Sequence, residues 1–501
     1  MNHFLFQGSS LFLLLTLLFP SLGKCQDIPS QEKLKTPIVS SATKLQILDN
    51  SSNELPLNLA DAVYLALENN RDLKLVYLQR ILDKKQLAET ESQFNPKFTP
   101  ELSLNFNNSQ SGENRSNNQT ANLSAKLNLE IPTGANLSLT LQGQSQLSQN
   151  NSLDTNMLSQ SMSFNFSQPL LRGFGTRFNT ISIKRARLTE KVNILTFKNN
   201  ISQTITDTIL SYRDLLLAQE RLKIEQLSVA SSKKDLERLQ ALFEFGRIAK
   251  NNLIERQSDI AQKEVDLVNT QGSLEQAIAD LNKLLDLPVP KKLIAIETPI
   301  TPATLNLPSF AEMLELALAN NSGYLSALNG VEDAKFGINE AENQQKLDLQ
   351  FNLSYGFNSA TNTQDTGDLN SSFTLSREFG NLSQNNAVKK SQIGLQSANL
   401  TYEKAKENLN EELKTKIRNS QDTFKQIKLA QQARQLAETK VINAKERMRL
   451  GSNISMTDII DFEKSLVDAK NQELSATINH LNSITQLEQF LGITLNQWVK
   501  Q

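Results

Sequence analysis

The chain has 501 residues, and its 52 Lys plus Arg nearly balance its 53 Asp plus Glu, for a net charge of −1. No basic surplus is left to follow a phosphate backbone, which argues against nucleic acid as a partner. With two His and one Cys in the whole chain, counting alone argues against a metal site or a disulfide framework.

Residues 4–19 form a short apolar run, followed by Pro20, Ser21 and Gly23. The uninterrupted core from Leu11 to Phe19 is about half the ~20 residues a spanning helix needs, so residues 1–23 are expected to be a removable secretory signal peptide. The sole cysteine, Cys25, lies in Leu22-Gly23-Lys24-Cys25. That segment has the spacing of a bacterial lipoprotein box but carries Lys in place of a small residue, so Cys25 is a candidate for lipidation or an incidental residue. Residues 24–55 show no sustained period and are expected to be a flexible lead-in.

From residue 56 the chain presents a series of elements twice. A short helix is expected over 57–95, strands over 98–169, a long helix over 178–245, a break at Gly246 and a shorter helix over 251–286. A linker over 288–307 follows. The second series has a helix over 308–346, strands over 348–377, a long helix over 383–450, a break at Gly451 and a helix over 455–491, before a tail over 493–501. The two units, 56–287 and 308–492, align directly. Leu59-Ala60-Asp61 falls on Phe310-Ala311-Glu312 and Asn69-Asn70 on Asn320-Asn321 at an offset of 251, while Gly246 falls on Gly451 at an offset of 205. The difference, 251 − 205 = 46 residues, is extra chain in the first unit between about residues 107 and 168.

Proline is absent from Leu170 to Leu287 and from Ser309 onward. Ile201, Ile205, Ile209, Tyr212 and Leu216 recur at steps of three and four, as do Leu409, Leu413, Ile417, Phe424 and Ile427. Each long helix would run roughly 100 Å at 1.5 Å per residue, and such rods persist only when neighbouring helices cover their apolar stripe. The strand regions have period two instead. Leu102, Leu104 and Phe106 alternate with Ser103 and Asn105, and Leu349 to Phe357 alternate in the same way. Similar runs occur at Leu123 to Ile131, Leu137 to Gly143, Met162 to Gln168 and Phe373 to Leu375. The polar stretches Asn107–Gln119 and Ser359–Asp368 suggest exposed loops. An export signal, alternating strands and very long helices together predict a mainly α protein with a membrane β-barrel. Four to six strands cannot close a barrel within one chain, so oligomers are required.

In its order of elements the chain resembles the TolC-like outer-membrane efflux protein family over nearly all of residues 56–492. Pro169, Arg172, Gly173 and Gly175, with Arg377 and Gly380 in the second unit, are similar to the family's turns from barrel strand into long helix. The resemblance implies a homotrimer with its barrel in outer-membrane lipid and its tunnel crossing the periplasm, an exit duct that serves an inner-membrane transporter through a periplasmic adaptor. It also implies that adaptor contacts lie at the helix tips Phe245-Gly246-Arg247 and Leu450-Gly451-Ser452. Asp458 and Asp461, on one face of a helix start, resemble the acidic pair at the family's periplasmic aperture. Ser455 with Asp458 is equally a capping-box pattern. The family has twelve strands in a trimer. The 46 extra residues carry two more strand-like runs, for eighteen strands or for an extracellular flap on a twelve-stranded barrel. His3 lies in the leader and His480 stands alone, so no catalytic constellation, cofactor or enzymatic activity is expected. The competing expectation is a non-channel coiled-coil protein that spaces or tethers membranes.

Overall fold

The structure is a computed structural model, and it describes residues 54–112, 114–150, 153–287, 289–296, 305–450 and 454–498. The expected signal peptide, Cys25, Gly451 and Ser452 lie outside the described residues. Strand β1 (Glu54–Leu57) leads into α1 (Leu59–Asn69) and α2 (Arg71–Glu91), and four strands follow: β2 (Lys97–Ser111), β3 (Asn114–Glu130), β4 (Asn136–Asn150) and β5 (Leu153–Pro169). A single turn, α3 (Thr176–Asn179), opens into the 64-residue α4 (Ile181–Glu244), which folds back as α5 (Lys250–Leu285). Strand β6 (Lys292–Ala295) precedes α6 (Phe310–Asn320), α7 (Ser322–Gln344), β7 (Asp348–Ala360) and β8 (Thr366–Ser376). The 68-residue α8 (Leu382–Arg449), α9 (Met456–Phe490) and α10 (Thr494–Trp498) complete the chain.

Four expectations are corrected. The single helices expected over 57–95 and 308–346 are each two helices, because Asn70 and Asn321 leave the helix with extended ψ and cap the next one. Their side chains accept hydrogen bonds from the Leu73 and Tyr324 amides at 2.9 and 3.0 Å. The linker over 288–307 contains β6, which pairs in parallel with β1, and four residues are too few to display a period. The tail over 493–501 contains α10, whose Trp498 packs with Val63, Leu73 and Ile205. The loop expected over 107–119 is largely strand, and the one expected over 359–368 is confined to residues 361–365, with strand on either side. A ladder of backbone hydrogen bonds needs no apolar side chains where both faces meet water, so Asn, Ser and Gln extend strands there that a hydrophobic period cannot trace.

The long helices are held at mid-length. Tyr212, Leu215, Leu281 and Leu285 close with Leu55, Leu57, Leu65 and Leu293 into one buried cluster, where the Tyr212 hydroxyl donates to the Leu57 carbonyl at 3.0 Å. Met313, Leu409, Leu413, Leu487 and Leu491 form its counterpart around α8. Above this belt, towards the strands, the helices pack in the order α2-α4-α7-α8; below it the order is α5-α4-α9-α8. The six strands form one antiparallel sheet in the order β2-β3-β4-β5-β7-β8, open in the single chain, with β2 and β8 as its edges.

Candidate functional site

Every strand pairing in the sheet keeps the same parity, so apolar residues collect on one face. Phe98 stands opposite Leu127, Leu127 opposite Leu139, Leu139 opposite Phe164, Phe164 opposite Tyr355 and Tyr355 opposite Leu369: one apolar row crosses all six strands. The next row, Thr99, Lys126, Thr140, Ser163, Gly356 and Asp368, is polar or small throughout. Leu102, Phe106 and Phe373 on the apolar face are 68–75% exposed, an arrangement that water disfavours and lipid tolerates. In β7 the apolar positions run from Leu349 to Phe357, close to the ~9–11 residues of a membrane-spanning strand.

The passage from sheet to helix is tightly built in the first unit. Arg172 forms an ion pair with Asp348 and its amide donates to the Leu347 carbonyl at 3.1 Å. Gly173 (φ 82°) donates its amide to Asn343 Oδ1 at 2.7 Å, and Gly175 (φ 100°) donates to the Thr133 carbonyl at 2.9 Å. Asn179 Nδ2 closes the turn by donating to the carbonyls of Gly173 and Gly175. Pro169 ends β5, and its ring lies near Gly173 and Gly134. At the second passage Arg377 stacks 5.5 Å from the Phe379 ring, which is 83% exposed, and Gly380 takes φ 84°.

At the opposite end, α4 stops at Phe245, with Gly246 at φ 70° and the Arg247 amide donating to the Leu242 carbonyl at 2.9 Å. Phe245 and Leu450 project into solvent. Asp458 is the N3 residue of a capping box on α9: its carboxylate accepts from the Ser455 amide at 3.0 Å and from the Ser455 hydroxyl at 2.7 Å, and these bonds hold its pKa below the usual carboxylate range. Asp461 is exposed one turn further on, so the two carboxylates share a face as the spacing suggests.

Just above these tips lies a feature that sequence reasoning missed. Arg256 of α5, 1% exposed, donates to Glu463 of α9 at 2.6 Å and to Asp259 at 3.0 Å. Lys445 of α8 bridges Glu463 at 2.7 Å and Asp235 of α4 at 3.2 Å, and Lys263 reaches Asp259 at 3.2 Å and the Ser232 hydroxyl at 2.7 Å. Three cations thus meet three anions where all four helices converge. The signal was present: Arg256 and Lys263 flank Ile260 at the three-and-four spacing of the buried stripe of α5, positions where charge is unusual.

Burial pushes the Glu463 carboxyl up, but hydrogen bonds and charge from Lys445 and Arg256 more than offset it and leave its pKa below the ordinary 4.5. A carboxylate with a depressed folded-state pKa contributes its full stability above the unfolded value and loses it as pH falls through the folded one. Amide protection of α9 near residue 463 is therefore expected to fall as pH drops below about 4.5. In Glu463→Gln, protection should be lower at neutral pH and vary less with acid. An identical pH profile in both proteins would show that Glu463 does not carry the dependence.

The helices at the edges of the layers carry unpartnered apolar side chains. On α2, Leu75, Leu78 and Leu82 are exposed; on α5, Val265 and Val268; on α8, Ile393, Leu400, Leu429 and Leu436, in two pairs each seven residues apart. One flank of the molecule is thus β2, α2 and α5, and the other is β8 and α8 along its whole length.

Among the described residues, no cluster of His, Cys, Asp or Glu is arranged to hold a metal, and no helix is long and apolar enough to cross a membrane. No protein-family model matches the chain, and neither does any curated protein. Solved structures do match. CusC, described through its folding and transmembrane channel formation, aligns with a TM-score of 0.65 at 16% identity, over 88% of this chain and 93% of its own. The outer membrane protein VceC of Vibrio cholerae aligns at 0.64 and 14% identity, over 87% and 96%. The open state of the MtrE outer membrane channel of Neisseria gonorrhoeae aligns at 0.63 and 16%, over 87% and 89%.

Proposed function

We propose, from the premise that this chain has the fold of the TolC-like outer-membrane channels, that it is the outer-membrane exit duct of an export system. The observation that carries the reading is the coincidence of edges. The flank β2-α2-α5 and the flank β8-α8 both end in unpaired backbone or exposed apolar side chains, at the level of the sheet and of the helices alike. β2 runs away from the helices and β8 runs back towards them, so joining β8 of one copy to β2 of the next continues the antiparallel ladder. Repeated, that head-to-tail contact gives a closed ring with no open sheet edge, as lipid demands. Three copies close it by analogy with the fold family.

In this assembly the sheet forms a β-barrel in the outer membrane, with its apolar row towards lipid, and the helices form a tunnel across the periplasm. Substrate passes through without chemical change, so no catalytic role is assigned. Phe245, Gly246, Arg247, Leu450, Gly451 and Ser452 meet a periplasmic adaptor that links the duct to an inner-membrane transporter. The two units are duplicates, which agrees with Asn70 and Asn321 dividing the helices at positions 251 residues apart (321 − 70 = 251).

Mass in detergent together with conductance in planar bilayers tests the duct. A trimer that conducts is expected; a monomer without conductance would leave the tethering coiled coil in its place. Asp458 and Asp461, repeated around the axis, form acidic rings at the entrance. Asp458→Asn with Asp461→Asn, which keeps an acceptor for the helix cap, is expected to lower the preference for cations over anions severalfold. Unchanged reversal potentials in a salt gradient would confine Asp458 to capping.

A further inference from the structure

We infer that the extra hairpin of the first unit, β3 and β4, is part of the membrane wall, so that three copies enclose an eighteen-stranded pore on a twelve-helix tunnel. This rests on the duct reading and goes beyond it, because the fold family builds its wall from twelve strands.

Three observations place the hairpin in the wall. First, β3 and β4 are each hydrogen-bonded on both sides, over fifteen register positions per ladder, and β2 meets β5 only through them. A flap standing off a shorter sheet would leave β2 and β5 paired with each other. Second, the apolar row crosses the hairpin without a break. Leu127 and Leu139 continue the line from Phe98 to Phe164, and Lys126 and Thr140 continue the polar line beside it. A hairpin surrounded by water has no use for that register. Third, the turn between β3 and β4 is fixed at the level where strands pass into helices. The Thr133 carbonyl accepts from the Gly175 amide at 2.9 Å and from Gln168 Nε2 at 3.3 Å. A Cβ added at Gly134 would stand 2.3 Å from the Gly173 carbonyl oxygen.

The two rings then have matching girths. Eighteen strands about 4.8 Å apart and tilted about 40° make a ring about 36 Å across between backbones. Twelve helices about 9.5 Å apart make one of about the same width. The wall passes from sheet to helix without a step. Beyond the apolar band β2 to β5 continue, since β7 ends against Ser159 while β5 still pairs with β4 as far as Leu153, so these strands stand higher than β7 and β8.

The experiment places single cysteines at Leu127, Leu139, Lys126 and Thr140 in the full chain carrying Cys25→Ser. Each is labelled with a fluorophore and the protein is reconstituted in phosphatidylcholine vesicles. A nitroxide carried on the lipid chains is expected to quench labels at 127 and 139 at least threefold more than those at 126 and 140, and aqueous iodide should show the reverse order. If trimers conduct but lipid nitroxide reaches none of the four, the eighteen-stranded wall is wrong and the duct stands. If neither trimer nor conductance is found, both fail. As a second measurement, deletion of residues 112–152 should narrow the barrel and lower the size of polyethylene glycol that enters from the outer side. An unchanged size limit in a conducting variant would overturn the inference.

Discussion

Replacing Arg256 by Ala is expected to loosen the lower end of the helical layer by about 3–5 kcal/mol, because it leaves buried anions without their partner. The guanidinium bonds both Glu463 and Asp259, and its second nitrogen lies 3.7 Å from Met456 Sδ, so one side chain fastens α5 to the first turns of α9. Without it, Lys445 and Lys263 must serve three carboxylates. Amide exchange across residues 456–466 and 252–264 should accelerate at least a hundredfold, since about 1.4 kcal/mol corresponds to a factor of ten. The mid-length belt around Tyr212 should stay protected, because it shares no partner with the cluster. Arg256→Lys keeps the charge but loses the two-pronged geometry, so an intermediate loss is expected. Wild-type exchange rates in Arg256→Ala would mean that the cluster contributes nothing net.

The second large effect belongs to Gly134. Its φ of 96° lies where side chains are strained, and an added Cβ would also stand 2.8 Å from Asn179 Nδ2, the group that closes the strand-to-helix turn. Gly134→Val combines a forbidden backbone with a collision against the Gly173 carbonyl, which cannot swing aside as a flexible side chain would. A loss of about 3–5 kcal/mol is expected, enough to lower the yield of folded protein sharply. Gly112→Ala is the control. Gly112 also has positive φ, at 64°, but its surroundings are empty, so only about 1–2 kcal/mol of backbone strain applies. Equal yields of folded Gly134→Val and wild-type protein would show that the turn is not wedged as described.

What the sequence revealed divides along physical lines. Ile201, Ile205, Ile209 and Tyr212 lie buried because a stripe facing neighbouring helices must be apolar, and that is a local pattern. The alternation in β7 was legible for the same reason, as was the glycine stop at Gly246. The outer ends of β2 and β3 were illegible: with water on both faces their side chains obey no period, and only the partner strand holds them straight. The breaks at Asn70 and Asn321 passed unnoticed because the apolar period runs on across them, with Ala66 and Leu73, and Ala317 and Tyr324, each seven residues apart. The charge cluster was legible only in part, as Arg256 and Lys263 on the buried stripe of α5, and its partners were hidden for a different reason. Arg256, Lys445 and Glu463 lie on three helices separated by as many as 207 residues (463 − 256), and nothing local announces that they meet. Asp458 was legible as a cap, and the capping bonds are present; the aperture role proposed for it would need neighbouring copies.

The sheet also dictates an order of events in time. β2 to β5 form a meander whose partners are close in sequence, so they can pair as soon as they are made. The seam between β5 and β7 joins residues about 180–200 positions apart, from Pro169 opposite Gln350 to Ser159 opposite Ala360. Until the whole of α4, α5 and α7 has been made and folded back, the inner edge of β5 stands open, and the outer edge of β2 stands open longer still. An unpaired edge beside an apolar face invites wrong partners. In the duct proposed above, an unassembled subunit would carry that hazard until a neighbouring chain covered the edge, the last step to occur.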